Sequence, residues 1–168
     1  MKDNIILIGM PGCGKSTIGV LLAKNLAYGF LDSDLVIQEQ SGRKLQEMID
    51  EMGPEAFSAF EDAVNATLIP HNTVIATGGS AVYGTRAMEH FREIGTVVYL
   101  NASYETIEKR IRNFATRGIV IPEGQTFRDV YNERTALYEK YADITVDVDA
   151  DKADIWDVVE AITANLNH

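Results

Sequence analysis

Short apolar runs recur along the chain and predict buried strands. Most of them are rich in Ile and Val, which is typical of strands covered on both faces of a parallel sheet. Each run is too short for a helix. The predicted strands cover residues 4–8, 30–31, 73–76, 96–100 and 144–146.

Between these runs, apolar residues return every three or four positions, which predicts amphipathic helices. In the last helix we expect Ile155 to point inward and Trp156 to be partly buried. The predicted helices cover residues 18–25, 36–68 with breaks at Ser41-Gly42 and Gly53-Pro54, 85–93, 103–114, 126–141 and 152–166. This alternation predicts an α/β fold, in which a parallel sheet is covered by helices on both faces.

Composition and charge limit the classes of protein to which the chain can belong. Its 168 residues, 46% of them hydrophobic, suffice for one domain, which we expect residues 1–168 to form. The net charge of −10, without any run of Lys and Arg, argues against nucleic acid as a partner. No apolar run reaches the roughly 18 residues of a membrane span. The start lacks the layout of a signal peptide. The single cysteine, Cys13, fits a reducing compartment, so we expect no membrane contact and a cytoplasmic protein.

Residues 9–17, Gly-Met-Pro-Gly-Cys-Gly-Lys-Ser-Thr, match the phosphate-binding pattern G-x-x-x-x-G-K-[ST]. The segment follows a predicted strand and precedes a predicted helix, as the P-loop requires. Its glycines allow backbone N–H groups to surround phosphate oxygens at a helix N-terminus. Lys15, expected to face solvent, would reach the β- and γ-phosphates, and Ser16 would offer its hydroxyl to Mg²⁺. The predicted cofactors are therefore ATP and Mg²⁺, and the predicted nucleotide-binding residues are Gly12, Cys13, Gly14, Lys15, Ser16 and Thr17.

Two carboxylates follow the second predicted strand, where ligands of open α/β sheets bind. Asp32 could hold Mg²⁺ through water, and Asp34 could accept the proton of a substrate hydroxyl. Asp34 could instead cap a helix that starts at Leu35, because Asp is a favoured N-cap residue. One of the pair could fill both roles.

Further candidates follow along the chain. Thr77-Gly78-Gly79-Ser80 ends the third predicted strand, and its glycines allow the backbone to approach a ligand closely. Ser58 and Glu61 lie three residues apart and thus on neighbouring parts of one helix surface. The weakly periodic segment 115–125 contains Arg117 and predicts a lid that closes over phosphates.

In their order and spacing, these segments resemble the shikimate kinase family, a small member of the nucleoside-monophosphate-kinase-like P-loop group. The resemblance covers nearly the whole chain. It is carried by GMPGCGKST, by FLDSD, by TGGS, by the arginine of the lid and by ERTALYEKYAD. It implies a three-layer P-loop kinase fold, with five parallel strands in the order 2-3-1-4-5 and a short lid.

The resemblance also implies roles for individual residues. Lys15 and Ser16 would serve ATP and Mg²⁺, and Asp32 would belong to the magnesium shell. Asp34 would bind the acceptor hydroxyl, and Gly78 and Gly79 would contact the substrate. Arg117 would hold phosphate from the lid, and Arg134 would bind the carboxylate of the substrate. The catalytic residues implied are Lys15, Asp34 and Arg117.

The chain departs from the family pattern at three places. Ser58 replaces an arginine that binds the carboxylate of shikimate and neutralises the glutamate found here as Glu61. Ser80 replaces the third glycine of the usual G-G-G, and the lid reads Arg117-Gly118-Ile119-Val120 where R-P-L-L is usual. The nucleotide half of the site is therefore expected to be intact, whereas the acceptor half, with Ser58, Glu61 and Ser80, is expected to be altered.

The leading interpretation is an ATP-dependent small-molecule kinase that acts on a small hydroxy acid. A screen that measures ADP release with candidate acceptors would test it. Shikimate is the acceptor of the family, but the loss of the arginine at Ser58 predicts that it is turned over weakly. Homoserine or another small amino-hydroxy acid is the alternative acceptor. A different class of function is a non-catalytic nucleotide-binding regulator, and a nucleoside-monophosphate kinase has less support. We expect a monomer.

Overall fold

A five-stranded parallel sheet forms the centre of the protein. The computed structural model describes residues 2–113, 119, 121–149, 151 and 153–166. The strands occur in the order β2-β3-β1-β4-β5, which confirms the order implied by the resemblance. They are β1 (Asn4–Ile8), β2 (Gly29–Asp32), β3 (Thr73–Ala76), β4 (Gly95–Asn101) and β5 (Ile144–Asp147).

Helices alternate with the strands and cover the sheet on both faces, as the hydrophobic pattern predicts. All five residues of the central strand β1 are buried. The helices of the described part of the chain are α1 (Lys15–Leu26), α2 (Ser33–Ser41), α3 (Leu45–Asn65), α4 (Thr85–Ile94), α5 (Tyr104–Asn113), α6 (Phe127–Tyr141) and α7 (Ile155–Leu166), with a 3₁₀ turn at Ala81–Tyr83.

The helix boundaries correct the sequence-based ones at several ends. Helix α2 begins at Ser33 rather than at Leu35, because the side chain of Asp32 caps it by accepting a hydrogen bond from the Asp34 N–H. The predicted break at Gly53-Pro54 is present as a kink within α3, where Gly53 has a φ of 80°. Helix α7 begins at Ile155, three residues later than predicted.

The expected inward orientation of Ile155 in α7 is wrong, whereas Trp156 is partly buried, as expected. Ile155 and Trp156 are 37% and 50% exposed, because they lie in the first turn of the helix. Val158, Val159 and Ile162, one turn further on, are buried in the main core as predicted. A separate small core lies between α2 and α3 and consists of Ile37, Met48, Phe57 and Val64.

None of the helices in the described ranges combines the length and the apolar character that a membrane crossing needs.

The amide of Asn4 connects three backbone segments at the amino end of the sheet. Its Nδ2 donates to the carbonyls of Pro70 at 2.8 Å and Ile94 at 3.0 Å, and its Oδ1 accepts from the Thr73 N–H at 3.1 Å. Asn4 is 3% exposed, so water does not replace these bonds. It therefore holds the starts of β1 and β3 and the end of α4 together.

We expect Asn4→Ala to destabilise the protein by about 2–4 kcal/mol, because three buried backbone groups lose their partner. The measurement is urea unfolding followed by circular dichroism. The control is Asn25→Ala, which removes one exposed hydrogen bond to Thr163 and should change the stability by less than about 0.5 kcal/mol. Equal effects of the two substitutions would contradict the role assigned to Asn4.

Candidate active site

A cleft of about 890 Å³ lies where β1, β2 and β3 end. Parallel strands present their carboxyl ends at one edge of the sheet, which is where ligands of open α/β sheets bind. The cleft collects most of the site residues predicted from the sequence: Gly12, Gly14, Lys15, Ser16, Thr17, Asp32, Asp34, Ser58, Glu61, Gly78, Gly79, Ser80 and Arg134. Arg117 lies outside the described residues, as do residues 115, 116, 118 and 120 of the predicted lid, whereas Ile119 and Pro122 of that segment line the cleft.

The P-loop backbone takes a conformation that needs glycine. Gly14 caps α1 with a φ of 103°, in the left-handed region that other residues rarely adopt. A Cβ on Gly9 would lie 2.7 Å from the carbonyl oxygen of Leu100, so the loop also packs tightly against β4. The side chain of Cys13 is buried in the core and does not line the cleft, which leaves its backbone as the part available to a nucleotide.

The ammonium group of Lys15 is bound by its own loop. Its Nζ donates to the carbonyl oxygens of Gly9 at 2.7 Å and Met10 at 2.9 Å. Lys15 is 8% exposed, so the expectation that it faces solvent is wrong. Carbonyl dipoles stabilise a cation in a partly enclosed loop. A bound phosphate would compete with these carbonyl oxygens for the N–H groups of Lys15.

Ser16 and Asp32 bring two hard oxygen donors together. The Ser16 hydroxyl donates to Oδ2 of Asp32 at 3.0 Å, and Oδ1 of Asp32 accepts the Asp34 N–H at 3.0 Å. Asp32 is therefore the helix cap, and the alternative in which Asp34 caps a helix at Leu35 is wrong. Oxygen donors beside a phosphate-binding loop fit Mg²⁺, which in proteins takes one or two carboxylates and completes its shell with phosphates and water. The described residues contain no group of three His, Cys, Asp or Glu side chains that could hold a metal by themselves.

Two carboxylates approach Gly78 at the other end of the cleft. A Cβ on Gly78 would lie 2.7 Å from Oδ1 of Asp34 and 3.0 Å from Oε2 of Glu61. The other oxygen of Glu61, Oε1, accepts a hydrogen bond of 2.8 Å from the hydroxyl of Ser80. The missing side chain at Gly78 thus lets an acid from α2 and an acid from α3 meet at the loop after β3.

Glu61 is 2% exposed, and this burial raises its pKa to about 7. The negative charges of Asp34 and Asp62 raise the pKa further, whereas the Ser80 hydrogen bond and the positive charge of Arg134 lower it. Its carboxyl group consequently changes charge near neutral pH.

Arg134 supplies a buried cation to the same end of the cleft. It is 5% exposed, and its Nε has no hydrogen-bond partner in the described part of the chain. Its guanidinium lies 5.5 Å from the centre of the Tyr83 ring, and the Tyr83 hydroxyl donates to Glu133 at 2.6 Å. A buried guanidinium with an unused donor is suited to binding a carboxylate.

Sequence reasoning missed several residues that line the cleft. Arg110 of α5 donates to the Gly12 carbonyl at 2.9 Å, although 98 residues separate the two. Lys44 also lines the cleft, and Tyr83 and Glu133 lie beside Arg134. No local pattern marks these positions, because the cleft joins segments that are distant in the sequence.

Comparison with known proteins identifies the family. A sequence model described as "Shikimate kinase" matches residues 11–166. The shikimate kinase of Thiobacillus denitrificans is 38% identical over 87% of this chain and 81% of its own length. That of Chlorobium chlorochromatii is 35% identical over 96% of this chain and 90% of its own length.

The chain belongs to the shikimate kinase family. A structure of shikimate kinase from Acinetobacter baumannii in complex with shikimate matches it with a TM-score of 0.87 and 29% identity, over 99% of this chain and 93% of that one. As a shikimate kinase relative, the chain is an ATP-dependent phosphotransferase with a hydroxyl acceptor, and it uses ATP and Mg²⁺.

We expect Glu61→Gln to stabilise this shikimate kinase relative at pH 8 by up to about 3 kcal/mol and to leave its stability near pH 4 almost unchanged. The pKa of Glu61 is higher in the folded protein, so folding favours the protonated form. That contribution is complete below the unfolded pKa and is lost as the pH rises through about 7. Glutamine resembles the protonated acid at every pH and still accepts from Ser80.

The measurement is urea unfolding of both proteins at several pH values between 4 and 8. Glu55→Gln, on the exposed surface of the same helix, is the control and should leave the pH dependence as it is. Parallel curves for the wild type and Glu61→Gln would show that folding does not raise the pKa of Glu61, and would contradict this prediction.

Proposed function

We propose that the chain transfers the γ-phosphate of ATP to a hydroxyl group of a small hydroxy acid. One observation carries the proposal: a single cleft joins the P-loop with Lys15 to the carboxylate of Asp34 and the buried guanidinium of Arg134. A kinase for such an acceptor needs a phosphate cradle, an acceptor for the hydroxyl proton and a cation for the carboxylate.

In the nucleotide half, the backbone of Gly12, Cys13, Gly14 and Thr17 would surround the phosphates. Lys15 would leave the Gly9 and Met10 carbonyls and bind the β- and γ-phosphates. Ser16 and Asp32 would hold Mg²⁺, which when bound would neutralise phosphate charge. Arg117 is proposed as a phosphate ligand from the resemblance alone, since it lies outside the described residues.

In the acceptor half, Asp34 would orient the hydroxyl of the acceptor and accept its proton as the oxygen attacks the γ-phosphorus. Arg134 would bind the carboxylate of the acceptor. Gly78, Gly79 and Ser80 would lie along the acceptor, where the absence of side chains on the glycines allows close contact. These two fixed points set the distance between hydroxyl and carboxylate, and so the size of the acceptor.

Shikimate is one candidate acceptor, because the similar enzymes are named for it and one was solved with it. An amino-hydroxy acid such as homoserine is the second, and the surroundings of Glu61 favour it. Glu61 is hydrogen-bonded to Ser80 and lies near Asp34, and Ser58 places no cation beside it. Losing a charge-assisted bond to a carboxylate costs about 1.5–3 kcal/mol, roughly a ten- to hundredfold loss in affinity for shikimate.

A non-catalytic nucleotide-binding regulator would need the P-loop, but not a carboxylate and a buried guanidinium opposite it. ADP release that depends on an added acceptor would separate the two functions. The monomeric state and the cytoplasmic location remain predictions.

We expect Lys15→Ala to slow phosphoryl transfer by at least roughly a hundredfold, because a preorganised charge at the γ-phosphate is lost. The measurement is the steady-state rate of ADP release with saturating ATP. Lys24→Ala, in the last turn of the same helix, is the control. Circular dichroism must show both variants folded, since Lys15→Ala also frees two carbonyls. A rate near that of the wild type would refute the P-loop assignment.

For the acceptor, we expect the wild type to have a higher kcat/KM for homoserine than for shikimate. Ser58→Arg restores a cation beside Glu61, so it should raise kcat/KM for shikimate roughly ten- to hundredfold and lower it for homoserine. Both acceptors are compared by ADP release in both proteins. Efficient use of shikimate by the wild type would refute the prediction and would mean that another cation has replaced the missing arginine.

A further inference from the structure

Glu61 and Ser80 form a contact that can persist in two charge states. The Ser80 hydroxyl donates to Oε1 of Glu61 at 2.8 Å. A hydroxyl group is both donor and acceptor, so it can donate to a carboxylate and accept from a carboxylic acid. A guanidinium or an ammonium group only donates, and it would keep the neighbouring carboxylate ionised. Ser80 therefore holds Glu61 in place without fixing its charge.

The charged groups around Glu61 come from three elements, and the two acids outweigh the single cation. Asp34 of α2 and Asp62 of α3 oppose its ionisation, whereas Arg134 of α6 favours it. Burial opposes ionisation more strongly than any of these charges, and the resulting pKa is about 7. Both charge states of Glu61 are thus populated near neutral pH.

The oxygen that Ser80 does not bind lies beside Gly78, in the loop after β3. Oε2 of Glu61 and Oδ1 of Asp34 both lie close to Gly78, where a Cβ would be 3.0 and 2.7 Å from them. Glu61, Asp34 and Arg134 all line one cleft, so an acceptor whose hydroxyl is at Asp34 also lies beside Glu61. The charge on Glu61 would then attract or repel the group of the acceptor that lies next to it.

We propose that Ser80 and Glu61 form a charge-dependent selector of the acceptor: ionised Glu61 admits an acceptor with an ammonium group, and protonated Glu61 admits one without. The proposal rests on the proposed function and adds the basis of substrate choice to it. Ser80 acts through Glu61 and is a positioning residue, whereas Glu61 contacts the acceptor.

Two acceptors that differ in one group test the selector. Homoserine and 4-hydroxybutyrate share the carboxylate and the terminal hydroxyl, and only homoserine has an ammonium group. The affinity of each is measured by calorimetry between pH 6 and pH 8, in the presence of a non-hydrolysable ATP analogue and Mg²⁺. With a pKa of about 7, the affinity for homoserine should rise about tenfold from pH 6 to pH 8, and that for 4-hydroxybutyrate should fall about tenfold.

Variants separate positioning from simple packing. Glu61→Gln should bind homoserine weakly and remove the pH dependence for both acceptors. Ser80→Ala should move the transition to higher pH, because Glu61 loses the hydrogen bond that lowers its pKa, and Ser80→Thr should restore it by keeping a hydroxyl. Ser41→Ala, on α2 and away from the cleft lining, should keep the profile of the wild type.

A measurement without any acceptor separates the failure of the selector from that of the proposed function. NMR of ¹³C-labelled Glu side chains follows the titration of Glu61. The signal of Glu61 is the one that disappears from the spectrum of Glu61→Gln. Flat affinities in a wild type that releases ADP with either acceptor would overturn the selector and leave the kinase in place. An ionised Glu61 throughout this pH range would do the same. If neither acceptor binds at any pH, the selector and the proposed acceptor class both fail.

Discussion

The parallel alignment of β1, β2 and β3 is the constraint on which the site depends. Their register places Leu7 of β1 and Asp32 of β2 on either side of Ala76 of β3. The residues that follow these positions therefore emerge together at one edge of the sheet. The P-loop, Asp32 and the loop with Gly78 are neighbours because the strands that carry them end side by side.

The part of the cleft around Glu61 depends on a different part of the structure. Glu61 and Ser58 lie on α3, and the kink at Gly53 gives the second part of this helix its own direction. Phe57 and Val64 on that part are buried in the small core with α2, which keeps Glu61 turned toward the cleft. The packing that buries Glu61 also raises its pKa, so the chemistry of this end follows from the position of one helix.

The fold and the position of the P-loop and Asp32 at one cleft could be predicted from the sequence because their signals are local. The apolar runs, the P-loop pattern and the position of Asp32 at a strand end all lie within short segments. What the sequence could not show are contacts between distant segments. Ser80 and Glu61 meet across 19 residues, and Arg110 reaches Gly12 across 98. The expectation that Lys15 faces solvent was wrong because its ammonium group binds backbone carbonyls. Every residue has a carbonyl group, so the sequence does not show which carbonyls a lysine will bind.

Asn4 has a consequence for the tolerance of the chain to substitution. It lies in a strand whose other residues are apolar, yet no apolar residue can replace its two donated bonds and one accepted bond. Aspartate has the right length but no donors, and glutamine has the right groups on a longer stem. The residue at position 4 is therefore determined by the number of hydrogen-bond donors and acceptors rather than by hydrophobicity. In a scan of all substitutions there, almost every residue other than asparagine should lower the stability of the protein.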